Sequence, residues 1–229
     1  MRGADTAWAT YLDVPKVTQQ PSVPSRREGV AVHPALASFT VAMDTLVAEQ
    51  QDPVAVADGT CARLRPLLAD GTWLADEHRA TSKDGYQEHV VHVLPEGRYS
   101  LVALVWLPGQ STPIHDHRCW CVVGVLEGDE QEERFRLHAN GEGTWLERQG
   151  VRRYHVGQTC RLVPPDEDIH RVTNVGDAAA ISLHVYGADI RACGTSINRT
   201  FDRPVRDTAS DDTAVAWRDR DPAPAVGHR

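Results

Sequence analysis

The stretch Gly109-Gln-Ser-Thr-Pro-Ile-His115-Asp-His117-Arg-Cys-Trp-Cys121-Val-Val-Gly-Val-Leu-Glu-Gly128 decides how the rest of the chain is read. In extended backbone, residues two apart project to the same face. His115 and His117 therefore present both imidazoles to a common point. Alone, such a pair is more often a surface accident than a metal site. A third donor changes the balance, and Pro164-Pro165-Asp-Glu-Asp-Ile-His170-Arg-Val-Thr-Asn174 supplies one at the start of another extended run. Two ligands on one strand and one on a distant strand make a facial set, with further positions at the metal left open for other ligands.

The surrounding texture is β. From about residue 85, YQEHVVHVL, RYSLVALVWL, WCVVGVLEG, ERFRLH, GTWLE, QTCRLV, HRVTNV and AAISLHVY are short and rich in branched residues, with Gly, Pro, Asn or Asp between them. About eight such strands with no helices between them predict an antiparallel barrel or double-sheet roll. Upstream, Leu36, Phe39, Met43, Leu46 and Val47 recur at three- and four-residue steps, so a helix is expected from Pro34. A second helical stretch covers 53–69, interrupted at Gly59 and Pro66, and Trp73 and Leu74 begin a third. Residues 1–32 lack apolar periodicity and read as an extended lead-in. Residues 33–201 then form a single domain, helical over 33–80 and β over 85–190. The charged remainder, 202–229, is expected to be a flexible tail.

A hydrophobic content of 41% in 229 residues is enough for one domain with a real core. The net charge of −8 excludes the basic surface that nucleic acid or an anionic membrane would need. No stretch approaches the roughly 20 apolar residues of a membrane span, and the N-terminus lacks the apolar run of a signal peptide. Five cysteines, odd in number and irregularly spaced, fit a reducing compartment better than a disulfide scaffold. The expectation is a cytoplasmic monomer or small homo-oligomer whose partners are small molecules.

The first quoted stretch, G-x5-H-x-H-x3-C-x6-G, resembles the first cupin motif, with Cys121 where many cupins carry a glutamate ligand. PDEDIH170RVTN174 resembles the second, P-x-G-x2-H-x3-N, with Glu167 in place of the glycine. The resemblance implies a mainly β cupin double-stranded β-helix, a jelly-roll barrel with N-terminal helices. A thiolate at Cys121 would favour zinc or copper if it bound the metal. Without it, three neutral histidines leave a ferrous ion its full charge, able to take a thiolate and dioxygen together. Across about 80–190 the chain resembles the cysteine dioxygenase family of cupin thiol dioxygenases, in its bacterial form. That family uses a three-histidine Fe(2+) site to convert a thiol to its sulfinic acid with both atoms of O2. The resemblance implies His115, His117 and His170 as iron ligands. Ser182-Leu-His184-Val-Tyr186 matches the family's Ser-x-His-x-Tyr run, which implies that Tyr186 steers bound oxygen or substrate while His184 and Ser182 orient it. On a strand these three share a face, as a hydrogen-bonded relay requires.

Some family members carry a thioether crosslink between a cysteine in this region and the tyrosine matching Tyr186, whereas bacterial members have glycine there. Cys121 is accordingly either a crosslink partner of Tyr186 or a buried reduced thiol. The segment YQE88HVVHV resembles the one that carries an arginine for the substrate carboxylate in cysteine-specific members and a glutamine in mercaptopropionate-using ones. Here Glu88 stands at that place, with Gln87 before it. A carboxylate repels a carboxylate substrate and pairs with an ammonium group. If Glu88 faces the pocket rather than solvent, the substrate is a cationic or zwitterionic thiol, cysteamine-like or ergothioneine-like. Arg118 alternates to the face opposite His117 and does not replace the missing cation.

The competing functions are a cysteine or 3-mercaptopropionate dioxygenase, a cupin enzyme of a non-thiol substrate, and a non-catalytic metal- or ligand-binding cupin. A passive binder has no need of Ser182, His184 and Tyr186. Elsewhere, Trp106, Trp120 and Trp145 read as barrel packing, and His89 and His92, three apart on a strand, make a poor ligand pair. Cys119 is a weaker neighbour of the histidine face, and Cys61, Cys160 and Cys193 read as structural. His138 and His155 read as surface or supporting residues, and the run 129–136 as a solvated turn and strand edge.

Overall fold

Proline at the first helical position and a side-chain cap before it start both long helices, because each satisfies or removes an orphan N–H. The structure, a computed structural model, describes residues 32–207 apart from 142, 166 and 167. Residues 1–31, Glu167 and the tail beyond 207 lie outside the described residues. Helix α1 spans Pro34–Glu49 and is capped by His33, and α2 spans Pro53–Leu68 and is capped by Asp52, whose carboxylate accepts from Val54 N at 3.2 Å. The interruptions expected at Gly59 and Pro66 do not occur. Gly59 lies against α1, where a Cβ would sit 2.9 Å from Leu46 Cδ1, so its small size lets the helices close. Pro66 falls in the last turn, where one missing hydrogen bond costs the helix little. Two short 3-10 turns, Gly71–Trp73 and Asp76–Arg79, stand where a third helix was expected. No helix among the described residues is long and apolar enough to cross a membrane.

The strands are β1 Gln87–Val93, β2 Ser100–Trp106, β3 His115–His117, β4 Cys121–Glu127, β5 Asp129–Asn140, β6 Gly143–His155, β7 Thr159–Leu162, β8 His170–Asn174, β9 Ala180–Tyr186, β10 Ile197–Thr200 and β11 Val205–Asp207, with a short helix α3, Ile190–Cys193, before β10. They form two sheets, in the orders β1-β2-β9-β4-β7 and β10-β3-β8-β5-β6-β11. This is the mainly β double-stranded roll with N-terminal helices. The chain passes from the first sheet to the second at Gly128, whose φ of +76° only glycine adopts without strain. The tail expected from 202 begins inside the described structure, with β11 pairing parallel to β6.

Burial on both faces explains the nearly unbroken apolar run of β2. Leu101, Ala103 and Val105 face α1 and α2, with Ile181, Leu183 and Val185 of β9 beside them. Val102, Leu104 and Trp106 face the barrel interior, where they meet Val123 of β4 and Val172 of β8. Gly124 of β4 brings α2 onto the sheet, because a Cβ there would lie 2.6 Å from Leu68 Cδ1 and 2.9 Å from Leu64 Cδ2. Both leucines are fully buried, so neither can swing aside into solvent. Gly124→Val should therefore lower stability by about 1–3 kcal/mol through overpacking, read as a fall in the urea midpoint at unchanged slope. An unchanged midpoint would show that α2 does not rest on this glycine.

Candidate metal centre

One register position assembles the three histidines. Strands β3 and β8 pair antiparallel with His115 directly opposite His170, and the two-residue spacing then brings His117 to the same face. The three ring centroids lie 4.7–4.9 Å apart. One nitrogen from each ring falls within 4.8 Å of the others, and all three side chains are buried.

Neighbouring acceptors orient two of the rings. His115 Nδ1–H donates to the Pro113 carbonyl at 2.9 Å, and His170 Nδ1–H donates to Glu132 Oε1 at 2.9 Å. Each bond leaves Nε2 free to act as a ligand. His117 is held through its backbone, whose N–H donates to Asp168 Oδ2 at 2.9 Å. Its Nδ1 lies 3.8 Å from the same oxygen and is without a hydrogen-bond partner among the described residues. Burial, reinforced by repulsion from His170 and His117, holds His115 well below the usual imidazole range. Burial likewise lowers His170 to about 4, outweighing Glu132. At neutral pH both are uncharged, the form that a metal needs. Three buried imidazole nitrogens converging on one point, two of the rings fixed from behind, fit a divalent cation.

Glu132 is the buried counter-charge. Burial alone would raise its pKa, but Arg134 at 3.0 Å and the His170 hydrogen bond more than offset this and hold it at about 2. Tyr154 also donates to it, at 3.2 Å. The run 129–136 is thus not a solvated edge. Glu130, Glu132 and Glu133 are all buried on β5, and period-two alternation turns the first two inward. Neither Glu132 nor Asp168 was singled out from sequence. The signal for Glu132 was the alternation Glu130-x-Glu132-x-Arg134, which places two acids and their counter-charge on one strand face.

The histidines share a cavity with Tyr86, Glu88, Thr112, His184, Tyr186 and Ser196 among its lining residues. On β9, the Tyr186 hydroxyl lies 3.1 Å from His184 Nδ1, and His184 Nε2 lies 3.0 Å from Ser182 Oγ. The Trp106 indole N–H donates to Ser182 Oγ at 3.1 Å and closes the chain. Burial, with the nearby His170 and His117, lowers His184 to about 3. It also keeps Tyr186 well above its ordinary value. Both are neutral. Cys121 stands opposite Tyr186 in the β4–β9 register, its Sγ 4.0 Å from His184 Nδ1.

Glu88 faces this cavity rather than bulk solvent. Burial without a compensating partner raises its pKa to about 7. Gln87 does not join it, because strand alternation turns its amide away to donate to the carbonyls of Gly85 and Tyr86 at 3.2 and 3.1 Å. Arg118 is exposed and donates to the Ile197 carbonyl at 2.9 Å. No lysine or arginine lines the cavity among the described residues. Cys119 lies outside the histidine ring, packed half-buried against the interior cluster. Trp145 stacks on His138 and under Arg206 instead of filling the barrel.

Equilibrium metal binding checks the orienting role of Glu132. The chain should take one divalent ion, and His170→Ala should abolish stoichiometric binding. Glu132→Gln should weaken binding about 10–100-fold in chelator competition. Equal affinity would mean that Glu132 does not prepare His170.

The family model described as cysteine dioxygenase type I matches residues 75–199. Similar curated proteins include cysteine dioxygenase type 1 of Danio rerio, 29% identical over 106 residues that make up 45% of this chain and 52% of that one. The Homo sapiens protein of the same name is 27% identical over equal shares. The chain thus spans about half the length of the curated relatives it matches. Among solved structures, a double-stranded β-helix protein from Klebsiella pneumoniae is similar at TM-score 0.39 and 20% identity, over 50% of this chain and 81% of that one. With the family match covering more than half of its residues, the chain belongs to the cysteine dioxygenase type I family.

Proposed function

We propose that this chain is a ferrous thiol dioxygenase, and that its substrate carries a positive charge close to the thiol. His115, His117 and His170 would hold the iron. When bound, Fe(2+) supplies a Lewis-acidic, redox-active centre at which a thiol ionises and O2 is reduced. The overall change balances without a reductant. Sulfur gives up four electrons, the O–O bond breaks, two S–O bonds form, and the thiol proton ends on the sulfinate or in solvent.

The residues of this chain supply placement. Tyr186 brings a neutral hydroxyl to the cavity beside the histidines, and His184 and Ser182 fix its position. The observation that carries the substrate reading is the charge of the lining: among the described residues Glu88 is the only carboxylate there, with no cation to answer a substrate carboxylate. A charge-assisted hydrogen bond from an ammonium group to Glu88 contributes about 1.5–3 kcal/mol. A carboxylate placed there instead meets like charge.

Oxygen uptake by the iron-loaded protein on cysteamine, ergothioneine, cysteine and 3-mercaptopropionate tests both parts. Cysteamine and ergothioneine should give higher kcat/KM than cysteine and 3-mercaptopropionate. Glu88→Gln should lower kcat/KM for cysteamine about 10–100-fold and spare or improve 3-mercaptopropionate. Because Glu88 ionises as pH rises through about 7, KM for cysteamine should fall across that interval in the native protein only. Unchanged discrimination in the variant would remove Glu88 as the selecting group. No uptake with any thiol, despite bound iron, would remove the activity.

A further inference from the structure

Glu130 is a buried carboxyl that the metal centre does not use. It alternates with Glu132 into the barrel from β5 and is 2% exposed. Its Oε1 is without a hydrogen-bond partner among the described residues. An unpaired charge in such a place costs several kcal/mol, so the group must find a partner or a proton. Glu130 lines a second interior cavity together with Val125, Tyr154 and Cys160. Val125 is the register partner of Ser182 on β9, and the Ser182 hydroxyl and Trp106 indole are the polar groups that favour the Glu130 carboxylate across the interior. The relay from Tyr186 through His184 ends on that same Ser182.

We propose that Glu130 is the far terminus of the Tyr186–His184–Ser182 relay, and that its proton decides which way the Tyr186 hydroxyl donates. Counting donors leaves two arrangements. The Trp106 indole can only donate, and it occupies one lone pair of Ser182 Oγ throughout. Neutral His184 carries a single N–H. With Glu130 ionised, Ser182 donates to Glu130, His184 Nε2–H donates to Ser182, and Tyr186 donates to His184 Nδ1. The tyrosine proton is then turned away from the metal cavity. With Glu130 protonated, Glu130 donates to Ser182, Ser182 donates to His184 Nε2, and His184 Nδ1–H donates to the Tyr186 oxygen. The tyrosine O–H is then free to donate into the cavity. Glu130 takes the one added proton, the Ser182 and Tyr186 hydroxyls turn, and the His184 proton exchanges from Nε2 to Nδ1, so the charge change stays at Glu130 while a donor appears at the metal site.

The surroundings allow this near neutrality. Burial lifts Glu130 to about 7 against the opposing pull of Ser182 and Trp106. The other titratable groups facing it do not change state in that range. Glu132 on its own strand is held at about 2, while burial keeps Tyr154 on β6 and Cys160 on β7 above their ordinary values. Asn174 and Val172 of β8 are uncharged, Arg134 stays cationic, and His184 changes tautomer without taking up charge.

The effect on oxygen chemistry rests on the proposed dioxygenase reading, but the switch does not. It is read in the zinc-loaded full chain, labelled with 15N-histidine, by long-range nitrogen–proton correlation of His184. From about pH 8 to about pH 6 the protonated ring nitrogen should move from Nε2 to Nδ1, the tautomer ratio inverting roughly a hundredfold for a group that titrates midway. Glu130→Gln, whose amide donates to Ser182, should hold the Nδ1–H form at every pH, and Glu130→Asp should restore the pH response. A pH-independent tautomer in the native protein would overturn the proposal, as would the same inversion in Glu130→Gln. Inversion in a protein inactive on every thiol would uphold the switch and count against the dioxygenase reading alone.

Discussion

The register of β3 against β8 is the constraint on which the site depends. With His115 opposite His170, the His115-x-His117 spacing and one antiparallel pairing converge three imidazoles on a point. A slip of one residue would send every side chain of β3 to the other face. The barrel protects this register from several sides. Arg199 of β10 holds Asp116, which points away from the histidines, and Asp168 holds the His117 amide. Glu132 reaches across from β5 to His170. Pro113 just before β3, Asp168 just before β8 and Glu132 on β5 each fix one ligand, so the geometry is shared among segments far apart in the chain and belongs to no one loop.

Four carboxyls around the barrel interior behave differently because their partners differ. Glu132 has Arg134 and His170 and remains a carboxylate far below neutral pH. Asp168 has the His117 backbone N–H, and burial is likewise overcome. Glu88 has no such compensation, Ser182 and Trp106 offset burial only in part at Glu130, and both are raised to about 7. The first pair are fixed charges that shape the metal-facing sheet. The second pair sit close enough to neutrality for a ligand or a proton to change their state. Structural and responsive acids thus occupy the same small volume, and the strength of the compensating partners separates them.

Much of this was legible in the sequence because strand periodicity is simple. An HxH pair, a third histidine at a strand start and Ser182-x-His184-x-Tyr186 all follow from a period of two, and the structure brings them together. Residues whose meaning depends on the facing strand were not legible. Gln87 and Glu88 are adjacent, and only the β1–β2 register decides that Glu88 turns inward. Glu130 and Glu132 look like surface acids until His170 and Ser182, on other strands, are placed beside them. Gly59 and Pro66 look like breaks in α2 because local propensity says nothing of Leu46 packed against the first, or of the helix ending just beyond the second.

The first sheet performs two tasks on opposite faces, and the alternation that separates them also links them. Ile181, Leu183 and Val185 of β9 lie under the helices, while Ser182, His184 and Tyr186 point into the barrel. Any displacement of β9 that improves packing outside therefore shifts the relay inside by the same amount. The hydrogen bonds of 3.0–3.1 Å along Ser182, His184 and Tyr186 leave little room for such a shift. Helix docking through Gly124 on the neighbouring strand is thus part of what positions the Tyr186 hydroxyl, although neither helix contributes a residue to the site.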